Sequence, residues 1–215
     1  MLCTGSDMNL FLGVGLKMIG DFKMYNIINN VDVYGLDESL RRSKFPMAVD
    51  AENTDSTYKE FHNKLASSKI GSGDDNWLMG IIVQFDLTFT IKAWTEAERY
   101  HFLDIISSQS TMHRISKMDI EPNCIEYVSP IIIQEVERLK EEYNNDKSAE
   151  NFLRLVYSVP VGFKLTAGMT TNYRQLKTIY YQRRNHRLPE WREFCAWIET
   201  LPMFKDLVLG GEKND

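Results

Sequence analysis

Val83-Gln84-Phe85-Asp86-Leu87-Thr88-Phe89-Thr90-Ile91 alternates apolar and polar side chains over nine positions. Successive residues of a strand point to opposite faces. Val83, Phe85, Leu87, Phe89 and Ile91 therefore share one face, and Gln84, Asp86, Thr88 and Thr90 the other. The alternation predicts a strand within Trp77–Ile91, in a sheet with one face on a core and one facing water. Asp86 lies on the polar face and is expected to be solvated or paired rather than catalytic.

Upstream, Met24–Tyr34 alternates well enough at its end for a second strand, broken by Gly35. Asp37 is a good N-cap for a short helix through Arg41–Ser43. Pro46 and the polar run Asp50–Thr57 read as a loop. Tyr58, Phe61 and Leu65 recur at helical spacing, which predicts a helix from Ser56 or Thr57 to Leu65. Lys69-Ile-Gly-Ser-Gly-Asp-Asp-Asn76 is a Gly-rich turn, read as a connector before a ligand wrap.

Downstream, Thr95 with Glu98 three residues on is a capping-box pattern that predicts a helix start. Phe102, Leu103, Ile105 and Ile106 would carry that helix about two turns into Glu98–Arg114. The hydroxyl-rich run Ser107–Thr111 would end it, because short polar side chains compete for nearby backbone groups. Such an element delivers cations at its start and hydroxyls past its end, the mix a phosphate or a flavin pyrophosphate needs. The other reading is an amphipathic helix followed by an ordinary polar turn. Ile131–Tyr143 and Ala149–Tyr157, the second capped by Ser148, read as a helical hairpin. Ser158–Thr171 reads as a short strand plus loop. Asn172–Arg184 and Glu190–Leu201 read as helices. A few strands among about six helices make the fold α+β in a single domain.

With 215 residues and a net charge of −5, the chain can bury a real core, and its charge argues against general nucleic-acid binding. Cys3, Cys124 and Cys195 form no CxxC pair and no disulfide framework, which fits a reducing cytoplasm. No apolar run reaches the roughly 18 residues of a membrane span. Residues 1–23 hold four Gly and an apolar stretch, Leu10–Leu16, with no basic segment ahead of it. They read as a loosely attached extension and not a signal peptide, with the domain over 24–215.

Charge concentrates in Asn172-Tyr-Arg-Gln-Leu-Lys-Thr-Ile-Tyr-Tyr-Gln-Arg-Arg-Asn-His-Arg187. It carries five fixed cations in 16 residues, with Arg174 and Lys177 on one helical face. In an acidic chain this is the best candidate anion site, the alternative being a basic helix balanced by acidic neighbours.

Together the two polar stretches resemble the flavin-dependent thymidylate synthases, in a divergent form of the kind found in phage genomes. That family carries an Arg-His-Arg triplet, then seven residues and a Ser, within a pattern ending Glu-x-Ser-x-Arg. A second signature has Leu-Pro, Asn-x-Arg-Ser-Leu, Leu-Arg and a His. This chain has Arg99-Tyr-His101, Ser107-Ser-Gln-Ser110 and Arg114, then Val159-Pro160, Asn172-Tyr-Arg174-Gln-Leu176, Arg183 and His186. Strand Ile81–Ile91 stands where the family has its strand between a Gly-containing loop and the triplet. The resemblance spans roughly Leu36–Leu201. The chain departs from the pattern at Tyr100 for the triplet His, at Met112 for the Arg after the serine, and in its Gly71–Asn76 loop, which lacks the family's His.

The resemblance implies a small, mostly antiparallel sheet packed against several helices. It implies FAD, with NADPH and a methylene folate as co-substrates, and one-carbon transfer to C5 of a pyrimidine deoxynucleotide such as dUMP. Arg174 would be catalytic, stabilising charge on the ring, and would bind the substrate with Ser108, Gln109, Ser110 and Arg114. Arg99, His101, Asn172, Arg183 and His186 would face the flavin. The sites would lie between subunits of a homotetramer. A second reading keeps the fold as a nucleotide-binding or protein-interaction module without turnover.

Overall fold

The computed structural model describes residues 27–210, so the extension expected over 1–23 and the first residues of the strand expected from Met24 lie outside the described residues. In chain order the strands are β1 Ile28–Tyr34, β2 Ile82–Thr90, β3 Asp104–Ser108 and β4 Lys164–Asn172. The α-helices are α1 Leu36–Arg42, α2 Phe61–Ala66, α3 Ile91–Ala97, α4 Thr111–Arg114, α5 Pro130–Asn145, α6 Ala149–Ser158, α7 Tyr173–Arg183 and α8 Pro189–Ile198. The sheet runs β1-β2-β4-β3 with every neighbouring pair antiparallel. The fold is α+β.

The alternation in β2 decides the layering. Val83, Phe85, Leu87 and Phe89 are buried and meet the helical layer of α7 and α8. Phe85 packs on Trp197 with centroids 4.7 Å apart, and Phe89 on Trp191 at 5.0 Å. Opposite, Asp86 Oδ2 accepts from Asn30 Nδ2 at 2.5 Å, and Thr88 and Thr166 share a hydroxyl hydrogen bond at 2.8 Å. Asp86 is therefore paired. A second, smaller core holds the α5–α6 hairpin, through Val136, Leu139 and Leu155 against Phe163. Ser148 caps α6 by accepting from Asn151 N–H.

Several expectations are corrected. The helix after β2 starts at Ile91, not at Thr95. Thr90, the last strand residue, is its N-cap and accepts from Ala93 N–H at 3.1 Å, while Thr95 Oγ1 bonds back to Lys92 O inside the helix. No loop separates the strand from the helix, because Thr90 serves both.

The second correction concerns Glu98–Arg114. Helix α3 ends at Ala97, Phe102 turns the chain at φ 65°, and Asp104–Ser108 forms an edge strand. Its β-branched Ile105 and Ile106 suit a strand, and β4 offers an unpaired edge that satisfies its backbone. Third, the segment expected as a short strand plus loop contains β4, nine residues paired along their whole length with β2. Helix α2 is also shorter than its spacing suggests, starting at Phe61, and α1 starts at Leu36 behind Gly35, so Asp37 lies in its first turn and is not its N-cap.

Candidate active site

Strand β4 hands directly to α7 at Asn172, whose side chain accepts from Gln175 N–H at 2.9 Å and caps the helix. Two residues on, Arg174 projects toward the 3₁₀ turn Asn76–Gly80 that follows the Gly-rich loop. Its Nε donates to Asp75 Oδ1 at 2.9 Å, and Nη1 lies 3.4 Å from Met79 Sδ. Lys177, one turn along the same face, donates to Asp75 Oδ2 at 2.8 Å and to Ser68 O at 2.5 Å. Arg174 and Lys177 thus share a face as their spacing predicts, and they share a counterion. Asp75 is the site residue that sequence reasoning missed. Its only local signal is an acid at the end of a Gly-rich loop, and its partners lie about a hundred residues away.

At the other end of α7, Arg183 is built into a polar cluster. Nε donates to Tyr100 Oη at 2.6 Å, and Nη1 reaches Glu96 Oε2 at 3.0 Å and His186 Nε2 at 2.8 Å. The guanidinium also lies over the Tyr100 and Trp191 rings, at 5.4 and 5.0 Å from their centroids. Burial lowers the His186 pKa, and the neighbouring Arg183 charge lowers it further. Burial raises the Tyr100 pKa, opposed by Arg183. The Glu96 carboxyl is held below its ordinary value by hydrogen bonds from Lys92 and Arg183, against desolvation. Beside the cluster an open cleft of about 470 Å³ is lined by Lys92, Glu96, Gln182, Asn185, His186 and Arg187 among others.

Arg99 and His101 sit on the exposed α3–β3 turn. An open groove of about 600 Å³ runs there, along Glu98, Tyr100, His101, Phe102, Leu103 and Ile105. The remaining residues of the first motif lie elsewhere. Gln109 extends the β3–β4 ladder, its N–H donating to Thr166 O and its Oε1 accepting from Thr166 N–H, both at 2.9 Å. Ser108 is exposed, Ser110 precedes the short helix α4, and Arg114 is exposed at that helix's end. Gln109 is level with Thr166 and Asn172 lies six residues further along β4, a separation of roughly 20 Å at strand rise.

Within one chain the structure therefore makes three groups. Arg99 and His101 join Arg183 and His186 through Tyr100. Asn172 and Arg174 stand at the start of α7. Ser108, Gln109, Ser110 and Arg114 lie at the far end of the sheet edge. The basic stretch is partly neutralised, since Lys177 faces Asp75 and Arg183 faces Glu96.

No protein-family model matches the chain, and no curated protein matches it by sequence. Solved structures do match its fold. Flavin-dependent thymidylate synthase ThyX from Helicobacter pylori, complexed with FAD and dUMP, is similar with a TM-score of 0.65 at 14% identity, covering 84% of this chain and 100% of that one. A second structure of that enzyme, also with FAD and dUMP, has a TM-score of 0.65 at 16% identity, covering 83% and 93%. A UMP/dUMP methylase, PolB, from Streptomyces cacaoi bound with 5-Br dUMP has a TM-score of 0.55 at 16% identity, covering 85% and 90%. The chain shares the fold of these proteins.

Proposed function

We propose that this chain is a flavin-dependent enzyme that transfers a one-carbon unit to C5 of a pyrimidine deoxynucleotide, dUMP or a close relative. The observation that carries the reading is the fold likeness over the whole length of a solved ThyX. Arg174, at the β4–α7 junction with its guanidinium partly exposed, supports it.

FAD is the proposed cofactor, with NADPH as reductant and methylene folate as carbon donor. The α3–β3 turn fits a flavin. Exposed Arg99 offers a cation to a pyrophosphate and His101 a ring N–H, and Phe102 and Ile105 give an apolar groove wall. A bound reduced flavin supplies the hydride and mediates carbon transfer. Arg174 places positive charge beside the pyrimidine and stabilises negative charge that develops on the ring. Asn172, Arg183 and His186 shape the flavin site by fixing the two ends of α7. Ser108 pairs with Ala167 and Gln109 with Thr166, five and six residues along β4 from Asn172, and Ser110 and Arg114 follow them. Ser108, Ser110 and Arg114 are proposed to serve the Arg174 of a neighbouring subunit, with sites between subunits of a homotetramer. Phe102, Ile105, Ile106 and Met112 leave the β3 edge apolar and exposed, as such an assembly requires. Among the described residues no helix is long and apolar enough to cross a membrane, and Cys124 and Cys195 are buried free thiols. We place the protein in a reducing cytoplasm.

The absorbance spectrum of the purified protein is the first test. A flavin spectrum, intrinsic or after adding FAD, is expected, and colourless protein that takes up no FAD overturns the reading. Arg174→Ala is expected to weaken dUMP binding at least about tenfold, the lower range for a charged hydrogen bond.

A second reading, nucleotide binding without turnover, is favoured by the side chains already engaged within the chain. Gln109, Asn172, Arg183 and His186 all have internal partners, and Met112 stands exposed where the family has an Arg. An assay with FAD, NADPH, methylene folate and dUMP separates the two. Binding without product selects the second.

A further inference from the structure

Asp75 closes a loop that carries two glycines in left-handed conformation, Gly71 at φ 92° and Gly73 at φ 88°. Its side chain is 1% exposed and Lys177's is 2% exposed, whereas Arg174's is 31% exposed. One buried carboxylate is thus divided between a buried ammonium and a guanidinium that reaches the surface. Lys177 also holds Ser68 O, so a single ammonium ties both ends of the 69–74 loop to α7.

Two consequences follow from this division. The carboxylate takes only the Nε of Arg174, so the Nη edge stays turned toward the exposed side, with Nη1 beside Met79 Sδ. The cluster also carries two cations against one anion, and Arg174 is the one of the two cations that is exposed to solvent. An unanchored arginine samples many rotamers and loses that freedom when it binds; anchoring Nε removes the loss beforehand.

We infer that Asp75, locked by Lys177, is a positioning residue that presents the Nη edge of Arg174 to an anionic ligand. The ligand's identity as a pyrimidine nucleotide rests on the function proposed above.

The test compares two variants that each remove both buried charges. Asp75→Ala with Lys177→Met leaves no acceptor for Arg174, while Asp75→Asn with Lys177→Met keeps one. Removing both charges together avoids stranding Lys177 unpaired in the core. The melting temperature, dUMP affinity by calorimetry and the exchange rate of the Arg174 Nε–H by NMR are measured for each. The alanine pair is expected to bind dUMP about three- to tenfold more weakly than wild type, the scale of ordering one rotamer-rich side chain. The asparagine pair is expected to recover most of that loss at a similar melting temperature. Affinity that follows the melting temperature in both pairs, regardless of the acceptor, overturns the inference. So does an Nε–H that exchanges as fast in wild type as in the alanine pair. Wild-type protein with a slowly exchanging Nε–H that binds no dUMP overturns the functional reading instead.

Discussion

Arg183 donates from Nε to Tyr100 Oη at 2.6 Å, joining residues 83 apart in sequence. Tyr100 passes the interaction on, donating to Gln182 Oε1 at 3.0 Å. The bond fastens the turn that carries Arg99 and His101 to the last turn of α7. Both oxygen roles of the phenol are used, and the arginine keeps Nη1 for Glu96 and His186. Two stretches that look separate in the sequence are therefore joined at one end of the molecule.

Tyr100→Phe removes the acceptor and leaves a part-buried guanidinium N–H unpaired. It is expected to cost about 1.5 kcal/mol, in the range for a hydrogen bond to a charged group. Urea unfolding at neutral pH measures it, and an unchanged midpoint would show that solvent replaces the phenol.

His186 predicts a pH dependence. Arg183 Nη1, always a donor, lies 2.8 Å from Nε2 and needs the lone pair that a second ring proton would occupy. The pKa is lowered from its ordinary value of 6.5 by burial and by the Arg183 charge. Below 6.5 the unfolded chain then binds more protons than the folded one, so stability falls as pH drops from 6.5 toward the folded-state pKa. Calorimetric scans from about pH 7.5 to about pH 5 are expected to show that fall, flattened in His186→Asn.

Asn172 has two assignments that a pair of variants separates. As the N-cap of α7 it is expected to contribute about 1 kcal/mol, lost in Asn172→Ala and largely kept in Asn172→Ser. As a flavin contact it would be lost in both. Thermal melts report the first role and FAD titration the second. Normal FAD uptake by Asn172→Ser would leave Asn172 as a cap alone.

Gly35 joins β1 to α1 at φ 75°, and a Cβ there would run into the Gly80 carbonyl oxygen. Gly35→Ala is expected to lose more than about 1 kcal/mol through the left-handed backbone and the collision together. Because Gly80 ends the turn that begins beside Asp75, the same variant should loosen the Arg174 anchor, read as faster exchange of its Nε–H.

Legibility in the sequence followed the range of the forces involved. The α6 cap at Ser148 and the two faces of β2 depend on residues a few positions apart, and local spacing reveals them. Strand β3 was not legible. Phe102, Leu103, Ile105 and Ile106 have helical spacing, and an exposed edge strand shows no alternation to oppose it. Strand β4 runs longer than its residues favour locally, since Gly168 in its interior weakens a strand. Its nine-residue pairing with β2 outweighs that local weakness.

The candidate site divides in the same way. Residue types and order alone singled out Arg174, Arg183 and His186, and placed Arg174 and Lys177 on one helical face. Only the tertiary structure decided what each faces. It brought Asp75 under Arg174 and Tyr100 onto Arg183, and it left Gln109 level with Thr166, roughly 20 Å along the sheet from the start of α7. Helix and strand periodicity arise from contacts between near neighbours, and the sequence carries them directly. The pairing of a carboxylate with a cation about a hundred residues away arises only when chain closure brings both into one low-dielectric interior, where an unpaired charge would be too costly to bury.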